Sequence, residues 1–400
     1  MKYMRQLFVV CAVAAFFVLG TFQVVEAKSK ALTVAGWIPY WAGEDGINDA
    51  RAHLSKLNTV YPFVFTVKDD GSLKDQGHLE GDAWQNLFDR AREKHVAIIP
   101  TITTGNGAQI ENILGTSTTR NAHIANIIAM VKGGNYDGVD IDYENRTKNS
   151  IDDFSTFLTD LKKGLKDKTL VCTIEPRTPP DSLWKVIPKP LPYSNDYAVI
   201  AKVCDSVQVM AYDQQRADIK LNATRVGLPY YPNADTAWVE KVVKNTLKSI
   251  PKEKLSLGIP TYGRNVTLTV SPQWFQEYTL VGSINQEDAM SIASDTNAVS
   301  SKNVAGEQVL TYLPKDMPAK LAKAIAAEHV AKGTPKGMKV ALQALAYANR
   351  TGKTVRVRMA WWSDADAASE KVSLAQKYGL AGVALFKIDG KEDQRVWNMF

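Results

Sequence analysis

The sequence predicts an α/β fold in which eight buried parallel strands alternate with helices and close into a (β/α)8 barrel. Runs rich in Val, Ile, Leu and Phe recur along the chain, separated by segments with helical spacing of apolar residues. The runs are apolar almost throughout, as in parallel strands covered on both faces. An open doubly wound sheet is the alternative, but no G-x-G-x-x-G or G-x-x-x-x-G-K-[ST] motif follows any run, which removes support for its nucleotide-binding form.

The elements follow one another in a regular order. The predicted strands are Leu32–Ile38, Thr59–Val67, Val96–Thr103, Tyr136–Asn145, Leu170–Ile174, Ser206–Ala211, Leu255–Pro260 and Gly382–Phe386. The predicted helices are Ile47–Leu57, Asp82–His95, Asn121–Lys132, a helix capped by Ser150 and running to Leu165, Thr236–Ile250 and Asp364–Tyr378.

One interval, between the seventh and eighth strands, breaks this alternation. From about residue 265 to residue 355 the chain has the composition of an inserted unit, either α+β or mainly helical. Glu307–Leu313 and Thr354–Trp361 are predicted strands, and they flank an Ala/Lys-rich helical stretch, Lys320–Tyr347. We expect this insertion on the rim of the barrel.

The fourth strand is the stretch on which the functional prediction depends. Apolar residues alternate there with Asp140, Asp142 and Glu144. Side chains at i and i+2 of a strand share a face at a spacing of roughly 6–7 Å. Carboxyls this close do not all ionise at neutral pH, so the strand predicts a general acid. Asp137 is expected to begin the same acidic series.

Two simpler interpretations of this strand compete with a general acid. An EF-hand calcium loop that began at Asp140 would need Gly at its sixth position, where Asn145 stands. A solvated strand edge is a common use of charge, but the intervening residues are bulky and apolar, and Gly138 indicates close approach of another backbone or a ligand. Neither a metal nor a cofactor is therefore predicted.

The other strand ends supply aromatic and polar side chains. In a barrel of this class the site forms where the carboxyl ends of the strands meet. Aromatic faces beside acids suit sugar rings, although buried aromatic residues of an ordinary core would explain part of the set. The candidate substrate-binding residues are Trp37, Tyr40, Trp41, Met210, Asp213, Tyr262, Arg264 and Phe386, with Tyr212 beside the acids.

Three motifs carry a family resemblance. The stretch from Asp137 to Glu144, D-G-V-D-I-D-Y-E, fills every fixed position of the D-G-x-D-x-D-x-E signature of family-18 glycoside hydrolases, the chitinase-like enzymes. M-A-Y-D, ending at Asp213, and G-I-P-T-Y-G-R, ending at Arg264, resemble the family's sixth and seventh strands. The last strand departs from the pattern, since Phe386 stands where the family usually has Trp.

The resemblance implies a mechanism in which the substrate assists its own cleavage. Glu144 would protonate the leaving oxygen while the substrate's 2-acetamido carbonyl attacks the anomeric carbon. Asp142 would orient the acetamido N–H, and Tyr212 would hydrogen-bond the carbonyl oxygen. Asp140 would share a proton with Asp142 and so help to raise the pKa of Glu144.

The substrate implied is an N-acetylated polysaccharide or oligosaccharide: chitin, chitin oligomers, peptidoglycan or an N-linked glycan core. The stretch W-W-S-D-A-D-A-A-S-E-K-V, Trp361–Val372, is similar to bacterial wall-directed members and favours peptidoglycan slightly. The rival hypothesis is a non-catalytic sugar-binding protein on the same barrel, because fold does not fix function.

The amino terminus predicts export. A basic start, an apolar run over Leu7–Leu19 and a small-x-small site ending at Ala27 read as a signal peptide over residues 1–27, which leaves 28–400 as the catalytic unit without stable membrane insertion. The run is shorter than the ~20 residues of a membrane span. We therefore expect a secreted or cell-envelope protein.

Charge and cysteine content bound the remaining possibilities. Without residues 1–27 the chain has 46 basic and 41 acidic residues, with no run dense enough to predict nucleic-acid binding. Cys172 and Cys204 remain, each in a predicted strand or at its edge, where a buried free thiol is the usual finding. The hydrophobic core, rather than crosslinks, is expected to stabilise the fold.

Overall fold

Parallel strands and helices alternate along the computed structural model, which describes residues 31–225 and 227–400. The strands are β1 (Thr33–Pro39), β2 (Thr59–Val67), β3 (Leu73–Asp75), β4 (Ala97–Ile98), β5 (Thr101–Thr104), β6 (Gly138–Tyr143), β7 (Thr169–Ile174), β8 (Ser206–Val209), β9 (Leu255–Pro260), β10 (Gly263–Ser271), β11 (Trp274–Ile284), β12 (Ser301–Lys302), β13 (Gln308–Tyr312), β14 (Val355–Trp362) and β15 (Gly382–Phe386). The helices are α1 (Gly43–Ala52), α2 (Asp82–Glu93), α3 (Gly107–Leu114), α4 (Ser117–Gly133), α5 (Ile151–Leu165), α6 (Pro180–Leu183), α7 (Tyr197–Val203), α8 (Ile219–Thr224), α9 (Thr236–Thr246), α10 (Gln286–Thr296), α11 (Ala319–Ala326), α12 (Lys339–Thr351) and α13 (Ala365–Lys377).

Eight of these strands close into a barrel. Their order is β1-β15-β9-β8-β7-β6-β5-β2, and β2 pairs in parallel with β1 to complete the circle. Closure excludes the open doubly wound sheet and confirms the predicted (β/α)8 fold. The short β3 pairs antiparallel with the upper part of β2, and β4 extends the line of β5 along β2.

Burial explains why these segments form strands and helices. All residues of β6 and β9 are buried, because the barrel interior covers one face and the helices cover the other. The helix α5 buries one apolar stripe, which consists of Phe154, Phe157, Leu158, Leu161 and Leu165. Ser150 precedes α5 as predicted, but its hydroxyl donates to the Thr147 carbonyl (2.9 Å) instead of accepting from a helix amide, which corrects the predicted side-chain cap.

The insertion between β9 and β15 is α+β. Its five strands form an antiparallel sheet in the order β11-β10-β14-β13-β12, and α12 packs Ala341, Ala344 and Ala348 against the apolar side chains of this sheet. The predicted helical stretch is divided into α11 and α12. The hairpin of β10 and β11 was missed by the prediction, as was α10.

Cys172 and Cys204 form a disulfide, with Cα atoms 6.1 Å apart. The expectation of buried free thiols was therefore wrong. Neighbouring Val171 faces the barrel interior, so Cys172 on β7 faces the helix layer, where Cys204 directly follows the last residue of α7. The strand's alternation and the end of the helix bring the two sulfur atoms together.

Replacing both cysteines by alanine should lower the free energy of unfolding by about 3–4 kcal/mol. The disulfide closes the chain between Cys172 and Cys204 into a loop, and this loop restricts the unfolded chain. Chemical denaturation of both forms without reductant measures the difference. Replacing Ser369, at an exposed position of α13, by alanine serves as a control. Equal stability of the double variant and the native chain would contradict the prediction.

The predicted signal peptide, residues 1–27, lies outside the described residues and stays a prediction. Within the part of the chain that is described, no helix combines the length and apolar character that a membrane crossing requires.

Candidate active site

Asp140 lies inside the barrel, where its carboxylate accepts hydrogen bonds from three other strands. Oδ2 accepts from the indole nitrogen of Trp37 (3.0 Å) and the hydroxyl of Thr101 (2.8 Å), and Oδ1 accepts from the hydroxyl of Thr173 (2.8 Å). Burial raises the pKa of Asp140 to about 6, against the opposing effect of these three bonds. The carboxylate links β6 to β1, β5 and β7.

Asp142 lies one step nearer the mouth of the barrel and is also buried. Its Oδ2 accepts from the hydroxyl of Thr103 (3.2 Å), whereas its Oδ1 is buried and accepts no hydrogen bond from the described residues. Burial, then the charges of Glu144 and Asp140, raise the pKa of Asp142 well above its usual value. The resemblance implies that Asp140 and Asp142 share a proton. Among the described residues, however, the two carboxyl groups form no hydrogen bond with each other.

Glu144 stands at the mouth, partly exposed to the cavity. Burial raises the pKa of Glu144 to about 7, with further contributions from the negative charges of Glu175 and Asp213. Glu175 is held in place because it accepts a hydrogen bond from the backbone N–H of Asn145 (3.1 Å). Asn145 has a positive φ of 57°, a conformation that Asn adopts more readily than most residues. A carboxyl with this pKa is still half protonated near neutrality.

Asp137 does not belong to this series, and that expectation was wrong. It precedes β6, at the opposite end of the strand from Glu144, and is out of phase with the even-numbered acids. Its Oδ2 accepts from the backbone N–H of Ile98 (2.7 Å). This hydrogen bond fixes the point at which the chain enters the barrel, and Asp137 does not line the cavity.

Residues that follow the sixth and seventh barrel strands form a second charged cluster. The two oxygens of Asp213 accept from the Tyr262 hydroxyl (2.7 Å) and from Nε and Nη2 of Arg264 (3.0 and 2.6 Å). The ring of Tyr212 stacks on Phe386, with centroids 5.5 Å apart and planes 15° from parallel. Phe386 also packs edge-on against Trp37 and Tyr262, so it lies within a cluster of aromatic rings.

A cavity of about 490 Å³ at the carboxyl ends of the strands collects most of the predicted residues. Ten of the twelve candidates line it: Trp37, Trp41, Asp142, Glu144, Met210, Tyr212, Asp213, Tyr262, Arg264 and Phe386. The other two lie elsewhere. Asp140 is beneath the floor, hydrogen-bonded to the buried Trp37. Tyr40 packs edge-on against Trp41 outside the lining, with centroids 5.0 Å apart.

Sequence reasoning missed several residues of this site. Phe63, Ser283 and Lys387 also line the cavity, and Glu175 acts on Glu144 through its charge. Glu175 could have been found, because it directly follows the fifth barrel strand, at the height of Glu144 on the neighbouring strand. Ser283 could not, since it comes from the unpredicted strand β11 of the insertion.

Asn233 was missed as well, although it connects three parts of the site. Its Oδ1 accepts from the backbone N–H of Asp213 (3.1 Å), and its Nδ2 donates to the carbonyl of Tyr262 (2.8 Å). Its own backbone N–H donates to the buried Glu307 of the insertion (3.0 Å). Asp213 has a positive φ of 54°, so this support holds a backbone conformation that aspartate seldom adopts alone.

Glu307 in turn joins the insertion to the barrel. Besides Asn233, it accepts from the N–H of Ala234 (3.1 Å), the indole of Trp361 (2.7 Å) and the hydroxyl of Ser363 (2.6 Å). Burial raises the pKa of Glu307, and the nearby charge of the buried Lys371 opposes that shift. A fully bonded buried carboxylate therefore sets where the insertion stands relative to Asp213.

Asn233→Ala should lower kcat by about tenfold and the free energy of unfolding by about 2 kcal/mol or more, because it leaves the Asp213 amide and the Tyr262 carbonyl without partners. Steady-state kinetics measure the change in kcat, and thermal unfolding measures the change in stability. Asn112→Ala, at an exposed position of α3, is the matched control. Unchanged kcat in a destabilised Asn233 variant would limit this residue to a structural role.

Acids beside aromatic residues at the mouth of a barrel suit the binding of a sugar ring. Residues 34–391 match the family model described as "Glycosyl hydrolases family 18", and the chain belongs to this family. It is accordingly a glycosidase, as the three sequence motifs predict.

Individual relatives are distant. The "Uncharacterized glycosylase YvbX" of Bacillus subtilis (strain 168) is 24% identical over 272 residues, which cover 65% of this chain and 71% of that protein. The class V chitinase of Pseudomonas fluorescens Pf-5 superimposes with a TM-score of 0.68 at 18% identity, over 92% of this chain and 98% of that one. The spore cortex-lytic enzyme SleL of Bacillus cereus gives 0.66 at 18% identity, over 93% and 74%. Structural likeness at this identity shows the shared fold.

Proposed function

We propose that this chain is an exported glycosidase that cleaves polymers containing N-acetylglucosamine by substrate-assisted retaining catalysis. The observation that carries the proposal is the buried Oδ1 of Asp142, which accepts no hydrogen bond from the described residues and lies beside Glu144, a carboxyl with a raised pKa. A buried acceptor without a partner is costly, and an acetamido N–H would satisfy it.

The steps follow from these positions. Glu144 donates its proton to the bridging oxygen, and the leaving sugar departs as an alcohol. The carbonyl oxygen of the substrate's own 2-acetamido group attacks the anomeric carbon and forms a cyclic intermediate. Asp142 accepts a hydrogen bond from the acetamido N–H, and the hydroxyl of Tyr212 donates a hydrogen bond to the carbonyl oxygen. Glu144, now a carboxylate, accepts a proton from the water that opens the intermediate with net retention.

The residues around Glu144 support these roles. The pKa of Tyr212 is raised well above its usual value by burial and by neighbouring charges, so its hydroxyl keeps its proton and can donate. Phe386 presents an apolar face to the sugar ring, and Asp213, tied to Arg264, offers acceptors at the rim. Chitin oligomers and peptidoglycan both carry the required acetamido group. The name of SleL and the similarity of Trp361–Val372 to wall-directed members favour peptidoglycan.

Glu144→Gln should reduce hydrolysis of N-acetylglucosamine oligomers by about 10²–10⁴-fold or more while binding persists, because the amide keeps the shape of the side chain and loses the proton. Product release measured by mass spectrometry, with oligomer binding measured by calorimetry, separates the two. Glu93→Gln, at an exposed site on α2, is the control. Wild-type turnover by the Glu144 variant would refute the assignment, and binding without turnover by the native chain would favour the non-catalytic sugar-binding alternative.

The pH profile offers an independent test. Since Glu144 must be protonated and its pKa is about 7, kcat/KM should fall as the pH rises through about 7. Glu175→Gln removes a negative charge that raises this pKa, so the proton is lost at lower pH and the alkaline limb should move to lower pH. Rates well below the limb should change little. An alkaline limb of kcat/KM that stays at the same pH, or moves to higher pH, would contradict the role of Glu175.

A further inference from the structure

A cavity of about 650 Å³ lies within the insertion, apart from the catalytic one. Its walls are the turn after α10, the end of β13, the end of α11 and the first turns of α12. None of its described lining residues belongs to the catalytic cavity. The proposed reaction therefore leaves this cavity, which we call the insertion cavity, without a role.

The insertion cavity is basic. Lys315, Lys336 and Lys339 line it, and all three are exposed. Of the described lining residues only Asp295 is acidic, and it pairs with Lys315 (3.3 Å). Both members of this pair are exposed, and such surface pairs are weak. Lys336 and Lys339 form no salt bridge with the described residues, so their ammonium groups are available to an anionic ligand.

The surrounding segment is basic as well. Residues 315–353 contain eight Lys or Arg residues and two acids, Asp316 and Glu328, which gives an excess of six positive charges. Residues 28–400 together have an excess of five, so this one segment accounts for the net positive charge of the chain. Charge of one sign concentrated on one surface attracts anionic ligands and raises their rate of association.

The other lining residues suit a peptide. Val299, Leu313 and Val340 contribute apolar side chains. Gln343 is buried, and its Nε2 donates to two backbone carbonyls (2.8 and 3.0 Å), so its Oε1 is left to accept a hydrogen bond from an N–H of a ligand. A ligand that combines small apolar groups, amides and negative charges would therefore find a partner for each of them.

The start of α12 does not supply an anion site of its own. The backbone N–H groups of Val340 and Ala341 already donate to the hydroxyl of Thr311 (3.1 and 3.3 Å). Arginine, whose planar fork matches phosphate, does not occur among the described lining residues. The separate ammonium groups of three flexible lysines instead suit carboxylates that are spaced along a chain.

We propose that the insertion cavity binds the short acidic peptides attached to the glycan strands of peptidoglycan. This rests on the proposed function and narrows its substrate class, since chitin carries no carboxylate. Such peptides combine methyl side chains, amides and free carboxylates, which the lining matches. Because the polymer is a mesh of strands, a peptide bound here keeps other strands near the catalytic cavity at a raised local concentration.

Combining Lys315→Gln, Lys336→Gln and Lys339→Gln should weaken binding to peptidoglycan sacculi about tenfold or more, because the lining then loses the charges that attract carboxylates. Co-sedimentation at low salt measures this binding. The sacculi are first freed of wall phosphate polymers, and every protein also carries Glu144→Gln, so that no glycan is cut during the measurement.

A second triple variant is the control. Lys94→Gln, Lys132→Gln and Lys248→Gln remove the same charge from exposed positions at or near the ends of α2, α4 and α9. This variant should bind sacculi within about twofold of the native lysines. In chains that keep Glu144, the substitutions in the insertion cavity should raise KM on sacculi and leave the kinetics on an N-acetylglucosamine tetramer within about twofold.

Sacculi whose carboxyl groups have been converted to neutral amides identify the ligand. The chain with native lysines should bind them about tenfold more weakly than untreated sacculi. Equal losses in both triple variants, or binding unaffected by carboxyl blocking, would overturn the inference. An effect of the three lysines seen only with sacculi that still carry phosphate polymers would also overturn it. These binding measurements need no turnover, so failure of the native chain to hydrolyse the tetramer and the sacculi would refute the proposed function alone.

Discussion

The arrangement of the barrel mouth depends on the carboxylate of Asp140. A buried aspartate is costly to charge, and here three donors from three other strands offset that cost. Because side chains alternate along a strand, a slip of β6 by one residue would place Val139 or Ile141 where these donors point. The same register sets Asp142 one step higher and Glu144 at the rim. The hydrogen bonds of Asp140 thus fix the positions of two carboxyls that they do not touch.

Much of this arrangement could be predicted from the sequence because it is encoded locally. The period of two in β6 and the residues that follow each strand depend on neighbours in the chain, and they brought ten of twelve candidate residues into one cavity. The error at Asp137 had a local cause too, since it lies out of phase with the acids of β6. Tyr40 was misplaced because a position just after a strand does not determine which way a side chain turns.

What could not be predicted depends on contacts between distant segments. Glu307 is an ordinary acidic residue in the sequence, and only the folded chain brings it to Asn233, Trp361 and Ser363. The pairing of Cys172 with Cys204 needs the end of α7 to reach the outer face of β7. The insertion gives the cavity Arg264 and Ser283 and is fixed to the barrel through Glu307. The insertion therefore contributes to the site by positioning side chains, and local sequence patterns do not predict those positions.

The disulfide encloses the whole segment that connects β7 to α7, since Cys172 precedes Arg177 and Cys204 follows Tyr197. One covalent link thus closes the loop into a ring whose base is the barrel wall. Where thiols stay reduced, as in the cytoplasm of most cells, the ring is open and its two ends are held by noncovalent packing alone. A chain that folds before its thiols are oxidised would therefore close this ring last, after packing has set both of its ends.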